Sequence, residues 1–134
     1  MIVGVGVDIV EVADLAGRLE RGTLKRAFSD AELAYAARCP KRRNEILAGR
    51  WAAKEAFGKA VGTGLRLDWP LNEVEVAHDD AGRPLFRFGS NVRACLPGGA
   101  RVHLSISHTP TYAAAFVIIC ADDEPGSTRE EAGG

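Results

Sequence analysis

The chain has little of what small proteins use as covalent or metal staples. Among its 134 residues are three cysteines and three histidines, and only 7% of the residues are aromatic. Cys39, Cys95 and Cys120 are scattered, with no C-x-x-C pair, so neither a structural zinc site nor an even disulfide framework is expected. A reduced, cytoplasmic setting is the expectation that follows. No run of apolar residues is long enough to span a bilayer, so no membrane partner is expected. The start, Met1-Ile2-Val3-Gly4, lacks the basic residues and cleavage site of a signal peptide. There is no G-x-x-x-x-G-K-[ST], no G-x-G-x-x-G and no H-E-x-x-H, which excludes P-loop, dinucleotide-fold and zinc-protease chemistry by motif. No internal repeat is visible.

What is present is an ordinary globular composition, 46% hydrophobic and 26% charged, at a length that suits one domain. The net charge of −1 hides an asymmetry. Residues 122–134 carry five acids and one base. That Gly-rich stretch is read as a disordered tail outside a domain of residues 1–121. Between Arg18 and Lys54 there are ten Lys/Arg against four Asp/Glu. Such a segment is either a solvated helical surface or a site for an anionic partner. Nucleic acid is not expected there, because single-strand binders need aromatics beside the charge and, up to Arg43, this segment offers only Phe28 and Tyr35.

Periodicity divides the chain into elements. Ile2–Ile9 is a near-continuous apolar run, expected to be a strand buried on both faces. Val3, Val5, Val7 and Ile9 share one face; Gly4, Gly6 and Asp8 share the other. Glycines on a strand mark close approach of a backbone or ligand. Asp8 at the end of that bare face needs either a cationic partner such as arginine, or a metal or phosphate role. Ala13–Arg21 reads as a helix. Ser29 with Glu32 forms a capping box that opens a second helix, Asp30–Ala37, and Cys39-Pro40 ends it. A third helix runs from Arg43 to Val61. Strands are expected over Asn72–Ala77 and Leu85–Phe88, joined by a turn at residues 79–82. Ser90 is expected to cap a short helix reaching Leu96, before strands over Arg101–Ser107 and Tyr112–Cys120. One strand, three helices and two hairpins make an α+β fold, with a mostly antiparallel sheet packed against helices.

The third helix organises the rest. At ~100° per residue its apolar residues cover most of the circumference, and Glu55 and Lys59 share a narrow stripe one turn apart. They are either an i,i+4 ion pair or functional groups. Two carboxylates such as Asp8 and Glu55 suit Mg²⁺, which takes one or two carboxylates together with phosphate oxygens. A lysine one turn beyond suits a phosphate clamp or a proton donor. Ser107-His108 sits at a strand-to-loop corner, where alternation puts the two side chains on opposite sides.

Gly4-Val5-Gly6-Val7-Asp8-Ile9, Arg50-Trp51-Ala52-Ala53-Lys54-Glu55-Ala56-Phe57-Gly58-Lys59-Ala60 and Leu104-Ser105-Ile106-Ser107-His108-Thr109 together resemble the holo-[acyl-carrier-protein] synthases. These are the short, single-domain group of the 4′-phosphopantetheinyl transferases. Phe28-Ser29, Glu32-Leu33, Gly62-Thr63-Gly64 and Gly82-Arg83-Pro84 add lesser matches. The resemblance implies a half-unit of the two-domain enzymes' fold, a homotrimer with active sites between subunits, and coenzyme A and apo acyl carrier protein as substrates. It implies Asp8 and Glu55 as Mg²⁺ ligands and Glu55, Lys59 and His108 as catalytic groups. Lys59, Ser107, His108, Arg50 and Arg42 would contact coenzyme A. Arg18, Arg21 and Lys25 would dock the carrier protein's acidic helix. Longer relatives carry a third acid where this chain has Val10, which implies water in that ligand position. Gly58 replaces a serine that many members have. A small basic binding module for RNA or an acidic protein, and a Mg²⁺-dependent phosphohydrolase, are the rival readings.

Overall fold

The computed structural model describes residues 1–24, 26–62 and 70–122. Three strands, β1 (Ile2–Glu11), β4 (Arg101–His108) and β5 (Tyr112–Cys120), form one antiparallel sheet in the order β1-β5-β4. A separate antiparallel hairpin joins β2 (Val74–His78) to β3 (Pro84–Phe88). The helices are α1 (Val12–Glu20), α2 (Asp30–Ala37), α3 (Arg43–Val61) and the single-turn α4 (Ser90–Arg93). The expected α+β architecture, with antiparallel strands packed on helices, is the one observed.

α3 is the centre of the core because it is apolar nearly all round. Ala52, Ala53, Ala56 and Phe57 are fully buried. Its small residues let β1 come in close. A methyl group added to Gly4 or Gly6 would lie 1.9 Å from the Ala60 or Ala56 carbonyl oxygen. Bare backbone at these two positions is therefore what allows strand and helix to touch. On the other side of α3, Phe57 packs with tilted rings against Phe86 and Phe88 at centroid distances of 5.5 and 4.8 Å, tying the hairpin to the helix. Gly62 ends α3 with φ +90°, the left-handed turn that glycine adopts without penalty.

Four sequence-based expectations are corrected. The outer face of β1 is exposed: Val3, Val5, Val7 and Ile9 are 47%, 52%, 58% and 68% accessible. The glycine face alone meets α3, and nothing among the described residues covers the other. The strand expected from Asn72 begins at Val74, after a 3₁₀ turn over Leu71–Glu73. The Leu71 carbonyl turns inward to accept from Lys54 Nζ instead of joining a ladder. Ser90 is the first residue of α4 and not its cap, and α4 stops at Arg93. The Glu73 carboxylate reaches the start of that helix instead, accepting from the Asn91 backbone N–H. Finally, the helix read over Ala13–Arg21 runs from Val12 to Glu20, and Gly22 takes φ +73° just beyond it.

Candidate active site

Asp8 projects from the glycine face of β1 toward α3 and is partly buried. Its Oδ1 accepts from Lys59 Nζ at 3.1 Å, and the same ammonium donates to the Val7 carbonyl at 3.0 Å. The partner of Asp8 is thus this lysine and not an arginine. Lys59 does not take Glu55 as its ion-pair partner, although the two share a stripe of α3. Glu55 is half-buried, and its carboxyl pKa is raised, first by burial and then by the negative charge of Asp8. Lys59 and Arg18 pull it the other way. Two carboxylates that repel one another at the mouth of a cleft, beside a half-exposed lysine, form a cation- and phosphate-ready arrangement.

The cleft has a volume of about 300 Å³. Asp8, Glu55, Glu11, Asp14, Arg18 and Trp51 line it. Arg18 lies over the Trp51 ring, 5.0 Å from its centroid. This puts Arg18 at the rim of the cleft, whereas Arg21 is exposed at the end of α1. Lys25 lies outside the described residues. As a metal site, the donor set fits Mg²⁺: hard carboxylate oxygens from Asp8 and Glu55, with room for a ligand's own oxygens. No cluster of three or more acidic, histidine or cysteine ligands exists among the described residues, so the substrate or water would complete the shell.

His108 is elsewhere. It ends β4 opposite Ala113, which in turn pairs with Val10 of β1. It therefore sits two strands from β1, on the same side of the sheet as α3. Its Nδ1 is 2.5 Å from Glu45 Oε1 in the first turn of α3. From Glu45 to Glu55 is ten residues, or ~15 Å of helix. One chain thus carries the Asp8–Glu55–Lys59 group at one end of α3 and His108 at the other. Ser107 is exposed and faces away from His108. Arg42 is exposed just before α3. Arg50 is 5% accessible. Its guanidinium stacks over Tyr35 at 4.5 Å and lies 3.4 Å from His78 Nδ1.

Two charged contacts escaped the reading of the sequence. Lys54 is fully buried and donates to Glu32 Oε1 (2.9 Å), the Leu71 carbonyl (3.0 Å) and the Val74 carbonyl (2.6 Å). Glu32 was legible as the capping-box acid, and its Oε1 also accepts from the Ser29 N–H. Its second job, holding Lys54 and accepting from Val76 N–H through Oε2, was not. Glu45 left no local signal, because its partner is 63 positions away.

Residues 4–117 match the family model described as ACPS, the 4′-phosphopantetheinyl transferase superfamily. The chain is 47% identical over 122 residues to a holo-[acyl-carrier-protein] synthase of Treponema denticola, covering 89% of this chain and 98% of that one. Among solved structures, the Chronobacterium ammoniagenes ACPS-CoA complex aligns with a TM-score of 0.79 at 34% identity, covering 90% of this chain and 98% of the other. A Bacillus anthracis holo-(acyl-carrier-protein) synthase in complex with CoA (3′,5′-ADP) aligns with a TM-score of 0.77 at 36% identity, covering 91% and 99%. The chain belongs to the holo-[acyl-carrier-protein] synthase family of the 4′-phosphopantetheinyl transferases.

Proposed function

We propose that this protein transfers the 4′-phosphopantetheine group of coenzyme A to a serine of an apo acyl carrier protein. The serine hydroxyl attacks the β-phosphate of coenzyme A, and adenosine 3′,5′-bisphosphate leaves. The observation that carries this reading is that Asp8 and Glu55 line one cleft among β1, α1 and α3, while Lys59 pairs with Asp8 beside it. Asp8 and Glu55 are the proposed Mg²⁺ ligands. Bound there, Mg²⁺ would offset charge on the pyrophosphate oxygens, which is most of what phosphoryl transfer asks of a protein. Lys59 is half-exposed and can exchange Asp8 for a phosphate oxygen, binding the pyrophosphate or protonating the leaving group. Glu55, its pKa raised by burial and then by the charge of Asp8, is also the proposed acceptor of the serine proton. Arg42 and Arg50 are proposed for the anionic end of coenzyme A, with Arg50 reached only if Tyr35 and His78 turn aside. His108 is proposed to contact the same cofactor from β4; Ser107, whose side chain faces the other way, would meet it only through its backbone.

The working unit is proposed to be a homotrimer of residues 1–121. The bare apolar face of β1, extended by Tyr112 and Phe116 of β5 at 48% and 42% accessibility, supports burial against another copy. In this trimer His108 of one chain is proposed to complete the Asp8–Glu55 site of the next. Three free cysteines suit a cytoplasmic setting. No helix among the described residues is long and apolar enough to cross a membrane.

The test is mass spectrometry of an apo carrier protein incubated with coenzyme A and Mg²⁺. The proposal expects one phosphopantetheinyl group per carrier serine, and none with Glu55→Gln that remains folded. Phosphopantetheine released to water would indicate a hydrolase, and an unmodified carrier a binding module.

A further inference from the structure

We propose that Glu45 is a positioning residue that sets the tautomer and direction of the His108 ring toward coenzyme A. This rests on the reading of His108 as a cofactor contact. The backbone of His108 is fixed by the β4–β5 ladder, but a strand leaves the ring free to rotate about its side-chain bonds. Glu45 removes that freedom. Its carboxylate is 15% accessible and reaches Nδ1 at 2.5 Å. An ionised carboxylate only accepts hydrogen bonds, so a contact this short requires the proton on Nδ1. That leaves Nε2 as the ring nitrogen with no partner among the described residues. A histidine's working nitrogen is commonly defined in this way, by the bond that its other nitrogen makes.

The placement of Glu45 adds a second reason. It stands in the first turn of α3, and Glu55 stands ten residues later on the same rigid helix. The orientation of His108 is thereby referenced to the rigid core helix of its own chain, not to the loop that follows β4. Glu45 need not touch the substrate for this to matter. A ring that swings free would present Nε2 to the cofactor only part of the time.

The experiment compares Glu45→Ala, Glu45→Gln, His108→Ala and the double variant Glu45→Ala/His108→Ala in the full chain, with coenzyme A, Mg²⁺ and an apo carrier protein. Glu45→Ala should raise KM for coenzyme A by about tenfold, the scale of one lost charged hydrogen bond, and leave KM for the carrier protein unchanged. Glu45→Gln keeps a carbonyl acceptor and should recover part of the loss. The double variant should be no worse than His108→Ala alone, since both changes remove one unit. In wild-type protein labelled at the imidazole nitrogens, NMR should find the His108 proton on Nδ1, and Glu45→Ala should shift it toward the mixture seen in free histidine. If His108→Ala raises KM but Glu45→Ala does not, the positioning role is wrong and the reading of His108 stands. If His108→Ala leaves KM unchanged, that reading fails and takes the proposal with it. Additive losses in the double variant, or an Nε2–H tautomer in the wild type, would each overturn the proposal.

Discussion

Gly6→Ala tests the link between backbone contact and chemistry. A methyl group there would sit 1.9 Å from the Ala56 carbonyl oxygen and 2.8 Å from the Ala60 nitrogen. Both obstacles are helix backbone and cannot swing aside as a side chain would. Contacts below 3.0 Å are essentially never made by real Cβ atoms, so β1 has to retreat from α3 by about 3.0 − 1.9 = 1.1 Å. Overpacking of this kind costs roughly 1–3 kcal/mol, from a total stability of about 5–15 kcal/mol. The retreat also carries Asp8, two residues along the same face, away from α3. The 3.1 Å bond to Lys59 would open toward about 4 Å, beyond hydrogen-bonding reach. A displacement of about 1 Å in a positioned group can lower turnover on the order of 10²-fold. Urea denaturation and initial rates of carrier-protein modification read the two effects separately. Gly17→Ala is the control, because its methyl group would meet only the end of the Arg21 side chain at 3.2 Å. It should be neutral or slightly stabilising in α1. A Gly6→Ala protein as stable and as fast as Gly17→Ala would refute the argument.

Lys54→Met should cost about 3–5 kcal/mol in urea denaturation by leaving the Glu32 carboxylate buried without its cation; a loss below about 1 kcal/mol would mean that water or a rearranged chain replaces the ammonium. Arg21→Glu should raise KM for an acidic carrier protein several-fold at low salt, spare KM for coenzyme A, and flatten the salt dependence; an unchanged carrier KM at low salt would place docking elsewhere. The His78 pKa lies below the usual 6.5 because burial and then the Arg50 charge disfavour its protonation, with Asp79 opposing. The unfolded chain therefore binds that proton more readily, so stability should fall as pH drops from above 6.5 toward the folded pKa. Melting temperatures at pH 7.5 and 5.5 check this, and His78→Gln should show a shallower loss than the wild type; equal losses would contradict it.

The bounds of α2 and α3 were legible residue for residue because their signals are local. Ser29 and Glu32 cap one helix, and Gly62 closes the other. The glycine face of β1 was legible for the same reason: Gly4 and Gly6 leave few explanations besides a neighbouring backbone. Its valine face was misread as buried in the chain's own core. Alternation reports that a side chain avoids water, but not whether its own fold or a second molecule shields it. Glu45 and Lys54 were illegible as contacts because their partners are distant in sequence, and an isolated charge on a helix looks the same whether it meets solvent or a buried acid. The pairing of Asp8 with Lys59 became visible only when strand and helix were placed together. Both residues had already been singled out by the cost of leaving a charge on an apolar face.

Among the described residues, α3 makes charged attachments at three places: Glu45 to His108, Lys54 to Glu32, and Lys59 to Asp8. Their spacing along one helix behaves as a ruler. One residue inserted between Glu45 and Lys59 would rotate everything beyond it by about 100° and advance it by about 1.5 Å. No single substitution could then restore all three attachments, because each reaches a different element. A deletion does the same in the opposite sense. Over this interval the gene can exchange one amino acid for another but cannot change length, so insertions and deletions that preserve activity must fall outside it.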